Sequence, residues 1–275
     1  MASTFITRAW KGLIGRIRKS LDNPYRKVNI GPVKLKYLKH LGNGPERSHK
    51  LHGHLLYFTS ATELLHGLKE IFLEEIYQQK LGAAPYILDC GANIGLSVIY
   101  LKEKFPEASI IAFEPDTNNA GLLEKNIRSF GLANVEVRRE AVWTANTELQ
   151  FLNDSSMSSR IGDQKSGQTV TVKAIRLKDL LTRKVDFLKI DIEGAEYKVI
   201  MDVQEQLSVV GNLFLEYHGT YEQNRELNEI LSALTRAGFR YYIKEAAPVY
   251  PHPFTGQKSP SIPWDLQLNI FCSRD

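Results

Sequence analysis

The sequence is poor in cysteine and has no long apolar run. Its 275 residues include only two cysteines, Cys90 and Cys272, both in apolar, strand-like surroundings. We therefore expect buried, reduced thiols and no disulfide framework. No stretch approaches the roughly 20 apolar residues needed to cross a bilayer, and the N-terminal segment lacks the continuous apolar core of a signal peptide. These absences favour a cytoplasmic globular protein.

Two common nucleotide-binding signatures are also missing. The chain contains neither G-x-G-x-x-G nor a glycine-rich loop ending in Gly-Lys-Ser/Thr, which argues against a dinucleotide loop and against a P-loop. It has instead Tyr86-Ile-Leu-Asp-Cys-Gly-Ala-Asn-Ile-Gly-Leu-Ser97, an apolar run followed by a Gly91-x-x-x-Gly95 turn. A strand that passes through a glycine turn into a helix is the first unit of a nucleotide-binding α/β fold.

Positive charge is concentrated near the N-terminus of a chain whose net charge is +4. Residues 4–21 predict an amphipathic helix with one apolar stripe and a face rich in lysine and arginine. Two interpretations stay open: the helix docks on its own domain or on a second copy in a homo-oligomer, or it makes peripheral membrane contact. The remaining charge is nearly balanced, so no nucleic-acid partner is expected. We divide the chain into this basic helix (1–27), a cap segment (28–84) and a ligand-binding domain (85–275).

From residue 85 onward, short apolar strands alternate with helices, which predicts an α/β fold with a mostly parallel sheet. The predicted strands are 86–90, 109–113, 135–138, 185–190, 212–217, 239–243 and 266–272. Upstream, we predict strands at 33–38 and 51–58 and a helix over 61–81. Between 147 and 174 the alternation pauses in an antiparallel pair that flanks a polar loop, 153–167.

Polar residues follow the predicted strands at the edge where open α/β sheets bind ligands. They are Asp89, Glu114, Glu140, Asp191 and His218. Several carboxylates at one edge repel one another, so a cationic ligand with hydroxyl groups would relieve the cost. S-adenosylmethionine, with an amino group, a sulfonium and a ribose, has that chemistry. Glu114, about 20 residues beyond the glycine turn, is suited to the ribose hydroxyls.

Several motifs together resemble one family. They are Asp89-Cys-Gly-Ala-Asn-Ile-Gly95, Phe113-Glu-Pro-Asp116, Leu122 to Asn126, Asn134-Val-Glu-Val and Asp186-Phe-Leu-Lys-Ile-Asp-Ile-Glu-Gly-Ala-Glu196. Over roughly residues 60–275 the chain is similar to the FkbM family of S-adenosylmethionine-dependent methyltransferases. The resemblance implies a Rossmann-like class I methyltransferase fold, with a seven-stranded, mostly parallel sheet and an antiparallel last strand. It also implies O-methylation of a sugar, glycan or related natural product, so the expected partner is a small-molecule, glycan or glycolipid acceptor.

By position, the family pattern implies that eight residues contact the cofactor: Asp89, Gly91, Asn93, Gly95, Glu114, Asp116, Glu140 and Ala141. The glycine turn would lie under the methionine part of S-adenosylmethionine. Glu114 would take the ribose, with Asp116 at the same edge, and Glu140 and Ala141 would hold the adenine. The same pattern implies that Asp191 and Glu193 lie near the transferred methyl group.

A hydroxyl acceptor must lose a proton, because the pKa of an alcohol is far above neutral. His218 is a candidate general base by its ordinary pKa, and Asp191 with Glu193 is the other candidate. The two carboxylates could instead bind Mg²⁺, although no dedicated metal site is predicted. Lys189 points to the same side of its strand as Asp191 and is expected to pair with it. Two other functions stay open: an NAD(P)-dependent Rossmann-type oxidoreductase and a non-catalytic interaction domain.

Overall fold

The structure is a computed structural model that describes residues 23–152, 169–259 and 262–274. The predicted basic helix at 4–21 and the polar loop 153–167 lie outside the described residues. Contacts between Cα atoms divide the chain into two compact units. The first contains the described residues up to Gln78 together with Arg128–Gly131, and the second contains the rest.

The first unit is a small α+β assembly. A 3₁₀ turn, Pro24–Val28, precedes helix α1 (Pro32–Lys39), the hairpin β1 (Arg47–Leu51) and β2 (His54–Phe58), and helix α2 (Ala61–Gly67), which continues as a π-helical turn, Leu68–Leu73. The strand predicted at 33–38 is wrong, because these residues form α1. Pro32 occupies the first helical turn, where its fixed φ angle favours a helix over the strand suggested by the alternating apolar residues.

The second unit alternates strands and helices. Its elements are β3 (Tyr86–Cys90), α3 (Leu96–Lys104), β4 (Ser109–Phe113), α4 (Thr117–Ser129, whose last two residues are counted with the first unit), β5 (Val135–Arg138), β6 (Ala141–Trp143), β7 (Thr147–Leu152), β8 (Thr169–Arg176), β9 (Val185–Ile190), α5 (Glu196–Val203), β10 (Val210–Gly219), α6 (Asn224–Arg236), β11 (Arg240–Glu245) and β12 (Leu266–Ser273).

Seven of these strands form one sheet in the order β11-β12-β10-β9-β3-β4-β5. Strands β5, β4, β3, β9 and β10 pair in parallel with one another in that order, and β12 runs antiparallel to both β10 and β11. This confirms the predicted class I methyltransferase sheet with an antiparallel last strand. The chain builds outward from β3 to β5 and then returns to place β9 on the other side of β3. The order therefore reverses between β3 and β9, where ligands bind in open sheets.

The central strands are apolar because both faces of the sheet are covered. Leu188 and Ile190 of β9 and Leu215 of β10 are fully buried and belong to the same core cluster as Val199 and Ile200 of α5. A second sheet, in the order β6-β8-β7, confirms the predicted antiparallel pair, since β7 pairs antiparallel with β8. In the described part of the chain, no helix has the length and apolarity required of a transmembrane segment.

Candidate active site

An open cleft of about 670 Å³ lies at the carboxyl ends of the central strands. Its lining includes eight residues that the sequence singled out: Gly91, Asn93, Glu114, Asp116, Glu140, Ala141, Asp191 and Glu193. Three other predicted residues, Asp89, Gly95 and His218, are not in this lining. The structure therefore brings most of the predicted site residues together in the lining of the cleft and leaves the other three outside that lining.

The glycine turn (residues 91–95) connects β3 to α3. The backbone N–H groups of Gly91 and Ala92 both donate to the Phe113 carbonyl at the end of β4, at 3.0 and 2.9 Å. Gly91 has φ +90°, and a Cβ atom there would lie 1.8 Å from the Asp191 carbonyl oxygen. Asn93 has φ +48°, a left-handed conformation that asparagine tolerates better than most residues. Main-chain geometry thus sets the shape of this turn.

Glu114 is held in place by main-chain donors. One carboxylate oxygen accepts from the N–H of Asn93 at 2.8 Å, and the other accepts from the N–H of Asp116 at 2.9 Å. The side chain of Asp116 in turn accepts from the N–H of Asn119 at 2.8 Å and caps α4. Burial raises the pKa of Glu114 to about 7, although the two N–H donors oppose that shift. Glu114 therefore links the glycine turn to the loop after β4.

Asp89 lies beneath the glycine turn. It is fully buried and accepts a hydrogen bond from the Ser97 hydroxyl of α3. The buried ammonium of Lys189 lies 3.4 Å from Asp89 and 3.3 Å from Asp191, and it donates to the Gly91 carbonyl at 2.7 Å. The predicted pair between Lys189 and Asp191 is confirmed. One buried cation therefore connects β3, β9 and the glycine turn.

A second turn, which we call the acidic turn (residues 191–195), connects β9 to α5. Glu193 has φ +55° and Gly194 has φ +97°. The turn is closed by Glu196, the first residue of α5, whose carboxylate accepts from the N–H of Ile192 at 3.1 Å and of Gly194 at 3.0 Å. Sequence reasoning gave Glu196 no role. Its place at the end of the Asp-Ile-Glu-Gly-Ala-Glu run was the only available signal.

His218 packs behind this turn and is 2% exposed. Its Nδ1 atom lies 3.3 Å from Glu196, and its Nε2 atom lies 3.5 Å from Glu216 and 3.7 Å from Glu193. Burial disfavours the charged ring, but the carboxylates, with Glu196 first, outweigh it and raise the pKa of His218 well above its usual value. The ring therefore acts as a cation among three glutamates.

The two acids of the acidic turn also have shifted pKa values. Burial raises the pKa of Asp191 to about 6, with Lys189 opposing the shift, and raises the pKa of Glu193 to about 7, with His218 opposing it. Asp191, Glu193 and His218 each offer one ligand atom, and these atoms lie within 4.8 Å of one another. The arrangement could accept a proton near neutral pH or hold a small divalent cation.

A family model described as the methyltransferase FkbM domain matches residues 89–241 of the chain. The chain belongs to the FkbM methyltransferase family. The protein is thus an S-adenosylmethionine-dependent methyltransferase. The family resemblance carried by the glycine turn and the Asp186–Glu196 motif is confirmed.

Two curated relatives of this FkbM methyltransferase carry methyltransferase names. Methyltransferase sdnD of Sordaria araneosa is 29% identical over 210 residues, which cover 62% of this chain and 80% of the relative. Methyltransferase 1 of Beauveria bassiana is 26% identical over 186 residues, which cover 56% of this chain and 72% of the relative. Both matches favour methyl transfer over the oxidoreductase and the non-catalytic module.

Solved structures also match this chain. The FkbM methyltransferase of Methylobacillus flagellatus is 17% identical with a TM-score of 0.47, and the match covers 70% of this chain but only 45% of that one. TYW2 of M. jannaschii, solved in complex with AdoMet, is 14% identical with a TM-score of 0.47, covering 86% of this chain and 89% of that one.

The chemistry of the cleft suits the methyl donor of this family. The described residues that line it include five acids, Glu114, Asp116, Glu140, Asp191 and Glu193, and neither lysine nor arginine. A diphosphate would meet only like charges there, whereas a cationic ligand with hydroxyl groups would meet acceptors. The residues present therefore fit S-adenosylmethionine better than a dinucleotide.

Proposed function

We propose that this FkbM methyltransferase transfers a methyl group to a hydroxyl oxygen of a sugar, glycan or glycolipid. The observation that carries the proposal is the group of Asp191, Glu193 and His218, whose ligand atoms lie within 4.8 Å of one another. Asp191 and Glu193 line the same cleft as Glu114. An alcohol needs a proton acceptor to become a good nucleophile, and this group offers carboxylates whose pKa values burial raises toward neutral.

The cofactor would lie along the cleft from the glycine turn to β6. Glu114 would accept hydrogen bonds from the ribose hydroxyls, because its oxygens are fixed by main-chain donors and face the cleft. Asp116 would lie at the same edge, and Glu140 and Ala141 would border the adenine. Gly91 and Asn93 would lie under the methionine part, while Asp89 and Gly95 would act from beneath the turn.

When bound, S-adenosylmethionine supplies a methyl group attached to a sulfonium sulfur. That sulfur keeps the electron pair of the broken C–S bond and leaves as a thioether. The chain has two tasks: to align the acceptor oxygen with that methyl group and to remove the hydroxyl proton. The acidic turn lies at the switch point beside the glycine turn, since β9 pairs directly with β3. Both tasks would therefore fall to Asp191 and Glu193, with His218 behind them.

A divalent cation is a second route to the same chemistry. Asp191 and Glu193 could bind Mg²⁺ or a related ion, which would lower the pKa of a bound hydroxyl. Methyl transfer measured with and without EDTA separates the routes. Loss on chelation, with recovery on addition of Mg²⁺, would favour the metal, and unchanged transfer would favour the protein bases.

The N-terminal segment bears on the acceptor. We propose that residues 4–21, which lie outside the described residues, make peripheral membrane contact and bring the enzyme to a lipid-linked acceptor. Flotation with anionic liposomes, with and without residues 1–22, tests this proposal. Equal binding of both proteins would instead favour docking on the enzyme itself or in a homo-oligomer, which light scattering would detect.

One experiment tests the proposed function as a whole. The protein is titrated calorimetrically with S-adenosylmethionine and with NADH, and it is then incubated with S-adenosylmethionine carrying a deuterated methyl group and with glycan and glycolipid fractions. We expect binding of S-adenosylmethionine alone and label on a sugar oxygen. Label on nitrogen or carbon would contradict the acceptor class, and binding of neither ligand would favour the non-catalytic module.

A further inference from the structure

We propose that Glu196, His218 and Glu193 form one chain of contacts, which we call the relay. Within it, only Glu193 touches the acceptor hydroxyl. In this relay Glu193 is the catalytic residue, and Glu196 and His218 are positioning residues that act through it. The proposal rests on the proposed function, and it assigns a role to Glu196, which closes the acidic turn.

Exposure separates the three side chains. The Glu193 side chain is 33% exposed, whereas those of His218 and Glu196 are each 1% exposed. Glu193 lines the cleft and His218 does not. Because an acceptor cannot reach a ring that is covered on all sides, contact with His218 would require the turn to move. Glu193 can make that contact in place.

Glu196 fixes both the turn and the ring. Its carboxylate accepts from the N–H groups of Ile192 and Gly194 and lies 3.3 Å from Nδ1 of His218. With Nδ1 engaged, the ring can present only Nε2 toward the site. That atom faces Glu193 at 3.7 Å and Glu216 at 3.5 Å, and the amide of Gln267 lies at 3.3 Å.

The backbone holds Glu193 in the relay. Glu193 has φ +55°, a conformation that costs of order 1–3 kcal/mol for a side chain without local compensation. Gly194 follows with its Cα against the Trp264 indole, where a Cβ atom would lie 2.5 Å from the ring, and that indole is centred 5.6 Å from the ring of His218. Contacts from α5 and from the loop before β12 thus hold the strained turn.

The chemical step involves the acceptor hydroxyl, the Glu193 carboxylate and the methyl donor. The acceptor O–H bond breaks and its proton goes to the Glu193 carboxylate. The oxygen electron pair forms the new C–O bond, while the electrons of the broken C–S bond stay on sulfur. Glu193 then returns the proton to water. His218, held by Glu196, lies between Glu193 and Glu216 throughout and orients the Glu193 carboxylate for each turnover.

The test uses four variants: Glu193→Gln, His218→Gln, the double variant that combines these two substitutions, and Glu196→Gln. Glu205→Gln is the matched control, because Glu205 is 77% exposed and pairs only loosely with Lys178 at 3.4 Å. Binding of S-adenosylhomocysteine, transfer of labelled methyl to the glycan fraction and ¹⁵N spectra of the histidine rings are measured for each.

We expect Glu193→Gln to lose transfer by roughly 100-fold or more with ligand affinity nearly unchanged. His218→Gln and Glu196→Gln should lose about 10- to 100-fold. The double variant should be no slower than Glu193→Gln, because residues that act as one unit are not additive. In the complex with S-adenosylhomocysteine, Glu196→Gln should shift the ring nitrogens of His218, and Glu205→Gln should leave them unchanged.

Three results would overturn the relay. They are full activity in Glu193→Gln, a double variant slower by the product of the single losses, or His218 spectra that Glu196→Gln does not change. If the buried variants fail to fold, Glu193→Gln still decides the assignment, since its side chain is partly exposed. Failure of the wild-type protein to bind S-adenosylmethionine or to label a hydroxyl would contradict the proposed function instead.

Discussion

The glycine turn and the acidic turn follow neighbouring parallel strands but are built by different means. Each contains a non-glycine residue with positive φ, Asn93 at +48° and Glu193 at +55°, and each leads into a helix. The glycine turn is closed by main-chain bonds to the Phe113 carbonyl. The acidic turn is closed by the side chain of Glu196.

The difference matches the two tasks of a methyltransferase. The part of the site that would hold the methyl donor takes most of its shape from main-chain bonds in the glycine turn, and one ionisable side chain, Glu114, accepts from the N–H of Asn93 in that turn. The part that would handle the acceptor consists of ionisable side chains whose pKa values are shifted by burial and by one another. Changes at the first turn should therefore affect donor binding and folding, and changes at the second should affect the reaction.

The largest expected effect comes from Gly91→Ala, because Gly91 joins the two turns. The added Cβ atom would lie 1.8 Å from the Asp191 carbonyl oxygen at φ +90°, and neither backbone can yield cheaply. We expect a loss of more than about 3 kcal/mol in the free energy of unfolding, measured by urea denaturation, together with loss of S-adenosylmethionine binding.

Gly121→Ala is the matched control for that variant. Gly121 lies in α4 and a Cβ atom there would meet nothing within 4 Å. Alanine should stabilise the helix by about 0.5–1 kcal/mol. Similar stability of the two variants would show that the two turns are not in close contact.

A smaller effect is expected from Gly194→Ala, which changes only the acidic turn. The Cβ atom would lie 2.5 Å from the Trp264 ring at φ +97°, so the indole has to shift. We expect a loss of about 2 kcal/mol in stability and an altered near-ultraviolet circular dichroism signal of tryptophan. Affinity for S-adenosylmethionine should stay within about twofold, since the donor end keeps its bonds. A loss of affinity as large as in Gly91→Ala would erase the distinction between the turns.

The smallest predicted effect concerns pH at the donor end. The pKa of Glu114 rises from 4.5 to about 7 in the free protein, so its contribution to stability is complete below about pH 4.5 and is lost as pH rises through 7. The pH dependence of donor binding has the opposite sign, because the hydroxyl groups and the positive charge of S-adenosylmethionine favour the ionised Glu114 carboxylate. Affinity for S-adenosylmethionine should rise about tenfold between about pH 6 and pH 8. Calorimetry should show that Glu114→Gln abolishes this rise, and an unchanged rise would assign it to another group.

Much of the sheet was predictable from local sequence. Strands β3, β4, β5 and β9 begin and end at the predicted residues. Strands β3, β4 and β9 are short, largely apolar runs in a covered sheet, whereas β5 is a half-buried Val-Glu-Val-Arg run at the edge of the sheet. Residues 33–38 misled the prediction, since alternating apolar residues fit a strand as well as the helix that Pro32 begins.

The chemistry of the site was less predictable. Asp191 and Glu114 were found from their places after strands, and Glu193 was found from the family resemblance. The burial of His218 was not predicted, because its neighbours come from a turn, a helix and β12. Glu196 and Gln267 approach His218 from positions 22 and 49 residues away in the chain. Only the folded sheet brings these groups together.

The central claim is that donor binding depends on the glycine turn and on Glu114, which accepts from the N–H of Asn93 in that turn, whereas the reaction depends on the acidic turn. Its most direct test compares Glu114→Gln with Glu193→Gln, with Glu124→Gln as a control, in calorimetry with S-adenosylmethionine and in methyl transfer at saturating donor. The prediction is that Glu114→Gln weakens donor binding by at least about tenfold, while Glu193→Gln binds the donor within about twofold of the wild type and loses transfer by roughly 100-fold. Equal losses of donor affinity in both variants would contradict it.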